Sequence, residues 1–225
     1  MESVHIDLGS TALAGELYAP AGSRGIVLFG HGDAAERRSL RAGLITRVLH
    51  WAGYATLVVD LVTNAKAGAD EPPPSSRLNL EWLATRLAAT TDWLQRDRRT
   101  ESLTVGYFGV GLGAGAALMA AARRPALVGA IVAGGGRTDL AGEAIRHVRA
   151  PTLLVVGEGD AALAAINRED AKRMLVPSRL ELVPQVTQIF EEPGAIDRLA
   201  KLAAEWFQAR LAPPSLSRMT VSPAA

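Results

Sequence analysis

Residues Leu103–Ala117 read LTVGYFGVGLGAGAA, and the fold turns on them. The first half is β-branched and aromatic, as a strand requires, and the second half opens an alanine-rich pattern suited to a helix. Between them stands Gly109-Val110-Gly111-Leu112-Gly113. The spacing predicts a strand, a very tight turn and a helix. It is the pattern of a nucleophile elbow, G-x-S-x-G, in which flanking glycines let strand and helix crowd together beneath a strained central residue. Here the centre is Gly111, which has no side chain with which to attack anything.

Working outward, a chain of 225 residues is long enough to bury a sizeable apolar core in one α/β unit. The formal charge is +1, with acids and bases interspersed, so neither a nucleic acid nor a membrane surface is the expected partner. A small-molecule ligand is, and the sequence leaves the oligomeric state open. There is no cysteine, which removes disulfides, thiolate metal sites and a cysteine nucleophile and fits a cytoplasmic protein. The start MESVHIDLGS lacks the basic-then-apolar order of a secretion signal, and no apolar run approaches membrane-spanning length.

Along the chain, Val4–Leu8 and Leu13–Tyr18 alternate as an antiparallel hairpin. Continuous apolar runs follow at Gly25–Phe29, Tyr54–Leu61, Val128–Ala133 and Thr152–Val156, as expected of strands covered on both faces, and Arg179–Val183 reads as the last strand. Helical spacing marks Glu36–Trp51, Leu78–Arg98, the segment to about Arg124, Ala161–Leu175 and Pro193–Leu211. Val62–Arg77, with Pro72-Pro73-Pro74, is aperiodic and reads as a pocket cover. The expected unit is 1–211, followed by a frayed tail over 212–225. Strands alternating with helices after a hairpin imply an α/β fold, a mostly parallel sheet with helices on both faces. Ligands of such sheets sit beyond the carboxyl ends of the strands, so the loops carrying His31, Gly111, Asp160 and Gln188 are expected to converge.

Those loops resemble the α/β-hydrolase fold and, within it, the dienelactone hydrolase-like family. The phrases carrying the likeness are Phe29-Gly30-His31-Gly32, Gly106-Tyr107-Phe108-Gly109, Ala150-Pro151-Thr152 before Gly157 and Asp160, and Phe190-Glu191-Glu192-Pro193-Gly194. The resemblance implies a nucleophile, an acid and a histidine, in that order, each on its own loop. Mapped onto this chain the acid falls on Asp160, the nucleophile on Gly111 and the histidine on Gln188. Ser39, Ser102 and Ser178 do not lie on strand-exit turns, Thr187 offers a hydroxyl but no base, and His147 reads as a surface group. Loss of a triad serine or histidine costs on the order of a million-fold in turnover, so serine-esterase activity is not expected.

The resemblance also implies an oxyanion site made of backbone N–H groups, here Leu112 with Gly32 or Asp33, which survives loss of a serine side chain. The positive end of the helix behind it favours a carboxylate, an enolate or a carbonyl oxygen. Asp160, His31 and Asp33 are the candidate catalytic groups, with Arg37 and Glu158 as further ligand contacts. Each has a plainer role open to it: His31 shaping its turn, Asp33 or Asp160 capping a helix, Arg37 and Glu158 lying on the surface. No metal or cofactor is called for. Four readings follow. The favoured one is a non-hydrolytic member of the fold that binds a ligand or performs isomerisation, elimination or cyclisation. The others are a weak hydrolase in which Asp160 or His31 activates water, a structural or regulatory protein with a filled pocket, and a dinucleotide binder through Gly111-x-Gly113-x-x-Ala116.

Overall fold

The computed structural model describes residues 1–9, 11–31, 40–62, 80–187 and 190–211, with the backbone alone at 31, 40 and 41. Eight strands form one sheet: β1 (Glu2–Asp7), β2 (Ala12–Tyr18), β3 (Ile26–His31), β4 (Ala55–Asp60), β5 (Val105–Val110), β6 (Val128–Gly134), β7 (Thr152–Gly157) and β8 (Ser178–Val183). Their order is β1-β2-β4-β3-β5-β6-β7-β8. The first two strands are antiparallel to their neighbours and the other six run parallel. This is the architecture the buried runs predict.

Among the described residues five α-helices accompany the sheet: α1 (Leu40–Trp51), α2 (Leu80–Leu94), α3 (Leu112–Arg123), α4 (Ala161–Arg173) and α5 (Ala195–Arg210). Parallel strands need crossover connections, and those helices cover both faces, so the strands between them are apolar on both sides. All six residues of β4 and of β7 are buried. One core layer joins Val27, Phe29, Phe108 and Val132 to Leu199, Ala203 and Phe207 of α5. The opposite layer joins Leu28, Leu57, Tyr107 and Ile131 to Leu87 of α2 and Ala117 of α3. Within it the Tyr107 hydroxyl lies 2.6 Å from Thr91 Oγ1, and burial raises its pKa. The outer hairpin keeps the alternation of a half-solvated edge, with Val4 and Ile6 of β1 inward.

Helix α2 stops at Leu94 rather than Arg98 because Thr100 Oγ1 donates to the Leu94 carbonyl at 2.7 Å and Arg96 N turns to Trp93 O. Thr138–His147 forms a 3-10 segment, broken by Gly142 at φ 56°, where the sequence shows no clear period. The expected cover at 62–77, apart from Val62, and the tail at 212–225 lie outside the described residues. Among the described residues no helix is long and apolar enough to cross a membrane.

Candidate active site

The turn between β5 and α3 has the predicted form. Gly111 sits at φ 55°, ψ −121°, a region that costs a residue with a side chain of order 1 kcal/mol or more. Among the described residues a Cβ on Gly111 would meet nothing within 4 Å. At Gly109 the reason for glycine is crowding. A Cβ there would lie 2.6 Å from Gly113 O and 2.7 Å from Ala114 Cα, so strand and helix can touch only if that position is bare. Gly111 N donates to Gly134 O at 3.3 Å, and Gly111 O accepts from Arg137 N at 3.0 Å and Ala114 N at 3.3 Å. No side chain caps α3 at this end. Leu112, its first residue, is 54 % exposed.

Asp160 lies two strands away across the same sheet edge. Val110 is in register with Gly134, and Gly134 with Val155, so the β5 and β7 exits flank the exit of β6. Asp160 is half-buried and its Oδ1 accepts from Leu163 N at 2.9 Å, the N-cap of α4. Glu158 is exposed, and its N–H donates to Val183 O at 2.9 Å.

The loop leading toward Gln188 is pressed against that turn. A Cβ on Gly157 would lie 2.1 Å from Val186 O, and Gly159 N donates to Val186 O at 3.0 Å. Thr187 N donates to Glu192 Oε1 at 2.8 Å, and this hydrogen bond holds the Glu192 carboxyl below its usual range. The turn before Asp160 and the segment at Val186–Thr187 are therefore in direct contact. His31 ends β3 at the same edge, its Cα in register with Asp60. Gly32, Asp33, Arg37 and Gln188 lie outside the described residues.

The described serines sit elsewhere. Ser23 precedes β3, Ser102 precedes β5 and Ser178 begins β8, all at the amino-terminal edge of the parallel strands, and Ser3 is in the outer strand β1. A six-residue strand is roughly 20 Å long, so the first three stand about that far from the elbow. Ser10, Ser39, Ser75, Ser76, Ser215, Ser217 and Ser222 lie outside the described residues. Thr187 and His147 are exposed. His50 is on α1, where its Nε2 lies 2.8 Å from Thr56 Oγ1 and its ring stacks on Tyr18 at 3.9 Å.

Two residues at this edge escape the sequence reading. Asp60 ends β4 and is 6 % exposed. Arg137 follows Gly134-Gly135-Gly136 at the β6 exit, and its guanidinium grips Asp139 through two bonds of 2.8 Å, which lower the Asp139 pKa. The only signal for either is a charge at the end of a buried apolar strand. Among the described residues no group of three His, Cys, Asp or Glu is placed to hold a metal ion.

The Dienelactone hydrolase family model matches residues 42–209. The chain belongs to the dienelactone hydrolase family. A dienelactone hydrolase from Anabaena variabilis, known from its crystal structure, is 44 % identical with a TM-score of 0.87, covering 93 % of this chain and 97 % of that one. Est1E from Butyrivibrio proteoclasticus superposes with a TM-score of 0.75 at 14 % identity, over 92 % of this chain and 98 % of that one, and so speaks for the fold alone. Proteins from two strains of Mycobacterium tuberculosis, provisionally named phosphoribosyl transferases, are 42 % identical over 218 residues. That alignment takes in 96 % of this chain and 48 % of theirs. The chain thus spans about half the length of these curated relatives, and their name describes the longer proteins.

Proposed function

We propose that this chain is a non-hydrolytic member of the dienelactone hydrolase family. Its crevice beyond the β5 and β7 exits takes a small-molecule ligand, not nucleic acid or membrane. Backbone N–H groups of Leu112 and of Gly32 or Asp33 receive an oxygen of that ligand. The site then serves binding, or chemistry without a covalent intermediate such as isomerisation, elimination or cyclisation, where holding a flexible molecule in reactive shape supplies most of the effect. The setting in this reading is the cytoplasm.

The observation that carries the reading is the apex of the elbow. Gly111 keeps the strained backbone at φ 55°, ψ −121°, and no atom of the described residues lies within 4 Å of its Cβ position. The turn keeps the shape of an elbow while its central residue has no side chain, which supports a site that receives an oxygen without attacking it. The capping bond from Leu163 N to Asp160 Oδ1 supports a structural role for that carboxylate.

The direct test is covalent. Incubation with a fluorophosphonate ester followed by intact-mass spectrometry is expected to leave the protein mass unchanged. A stoichiometric adduct on any serine overturns the proposal.

A further inference from the structure

Strand β8 is a free edge of the sheet, paired among the described residues with β7 alone. Alternate residues of a paired strand turn their N–H and C=O toward the same neighbour. Pro177 O accepts from Thr152 N at 3.0 Å and Val183 O from Glu158 N at 2.9 Å, so the odd-numbered residues face β7. Ser178, Leu180 and Leu182 accordingly turn their N–H and C=O groups outward, an unfilled template for another strand. It carries the charged Arg179 and Glu181, but other usual defences are missing. The strand SRLELV contains no lysine, no proline and no glycine, and Pro177 and Pro184 bracket it without interrupting it.

We propose that β8 pairs antiparallel with β8 of a second copy of this chain, about a two-fold axis through Leu180, joining two sheets into one. The charges select that axis. Outward-facing residues can meet only outward-facing residues, so the axis must pass through a residue and not between two. An axis at residue 179 sets Arg179 against Arg179, and one at 181 sets Glu181 against Glu181, each a like-charge cross-strand pair. An axis at Leu180 sets Arg179 against Glu181 of the second copy, twice by symmetry. Leu180 then bonds to its own counterpart and Ser178 to Leu182 through reciprocal N–H···O=C pairs.

Within one chain Arg179 Nη2 already lies 2.8 Å from Glu181 Oε2. Pairing therefore exchanges an exposed bridge for its equivalent across the axis and leaves no charge alone. Arg198 of α5, 4.0 Å from Glu181, adds a second cation on that face. The opposite edge lacks this symmetry: β1 carries acids near both ends, Glu2 and Asp7, and Glu2 is held by Arg99.

Sedimentation of the full chain over a concentration series tests the proposal. The expected species at high concentration has about twice the 23.7 kDa chain mass. Arg179→Glu is expected to weaken association about tenfold by turning two attractive pairs into repulsive ones, and Arg179→Glu with Glu181→Arg to restore it. Leu182→Pro removes an outward N–H that has no partner among the described residues; it is expected to remain monomeric with an unchanged far-UV circular dichroism spectrum. A chain that stays monomeric throughout, or a dimer indifferent to both Arg179→Glu and Leu182→Pro, overturns the inference.

Discussion

The amide of Arg137 donates to the carbonyl of Gly111 at 3.0 Å. That bond, with those from Gly111 N to Gly134 O and from Ala114 N to Gly111 O, holds the apex of the elbow from its neighbours. Arg137 is itself fixed by Asp139. The turn is thus set by the exit of β6 as well as by its own glycines, which explains how the backbone shape persists at a position that holds no reactive side chain.

Two alanine substitutions separate strain from crowding at the elbow. Gly111→Ala is expected to cost of order 1 kcal/mol through positive φ, since no atom of the described residues stands within 4 Å of the new methyl. Gly109→Ala meets backbone at 2.6 Å and 2.7 Å and is expected to cost more, about 1–3 kcal/mol or beyond. Urea denaturation measures both, and the reverse order would contradict the geometry of the turn.

Reinstating the missing groups is expected to create an esterase. Gly111→Ser with Gln188→His should hydrolyse p-nitrophenyl acetate well above background, while either single change stays near it, because triad members act as a unit. A folded but inert double variant would show that Asp160 is not aligned with residues 111 and 188.

Asp160 offers a division between capping and catalysis. Asp160→Ala is expected to lose about 1 kcal/mol of stability with the bond to Leu163 N, and Asp160→Asn, which keeps an acceptor, only a few tenths. Thermal melts of the two variants provide the check. Any slow turnover of an activated ester that vanishes in Asp160→Asn would instead favour a residual hydrolase.

His50 gives a pH dependence with a definite sign. Burial first, and the N-terminal charge second, lower its pKa below 6.5, so the unfolded chain takes up a proton at a higher pH than the folded one. Its contribution to stability is complete above pH 6.5 and is lost as pH falls from there through the lower folded value. Denaturation at pH 7.5 and 5.5 should show a drop in the native chain that is reduced in His50→Gln.

Much of this was open to the sequence because two patterns are strong. Apolar runs such as Ala55–Val59 have no hydrated face, and glycines at strand exits mark where a helix must turn back close by. That pattern placed Gly111 at the turn after β5 and Asp160 at the start of the helix after β7. The 3-10 segment Thr138–His147 was not placed by it, because its buried residues Thr138, Ala141 and Ile145 straddle the reversal at Gly142 and follow no single period. Asp60 and Arg137 stayed hidden for another reason. An isolated charge at a strand end looks like any surface residue until the sheet order brings the exits together.

The order of the strands also governs how the chain assembles as it is made. β3 lies between β4 and β5, so its apolar residues Ile26–Phe29 must await a partner that ends at Val110. The hairpin of β1 and β2 is finished early but cannot dock until β4 emerges. At ~5–20 residues per second on the ribosome, the middle of the sheet stays unclosed for several seconds. A newborn chain is then at its most adhesive, and slower translation or a holding chaperone would be felt more in its yield than in the stability of the finished protein.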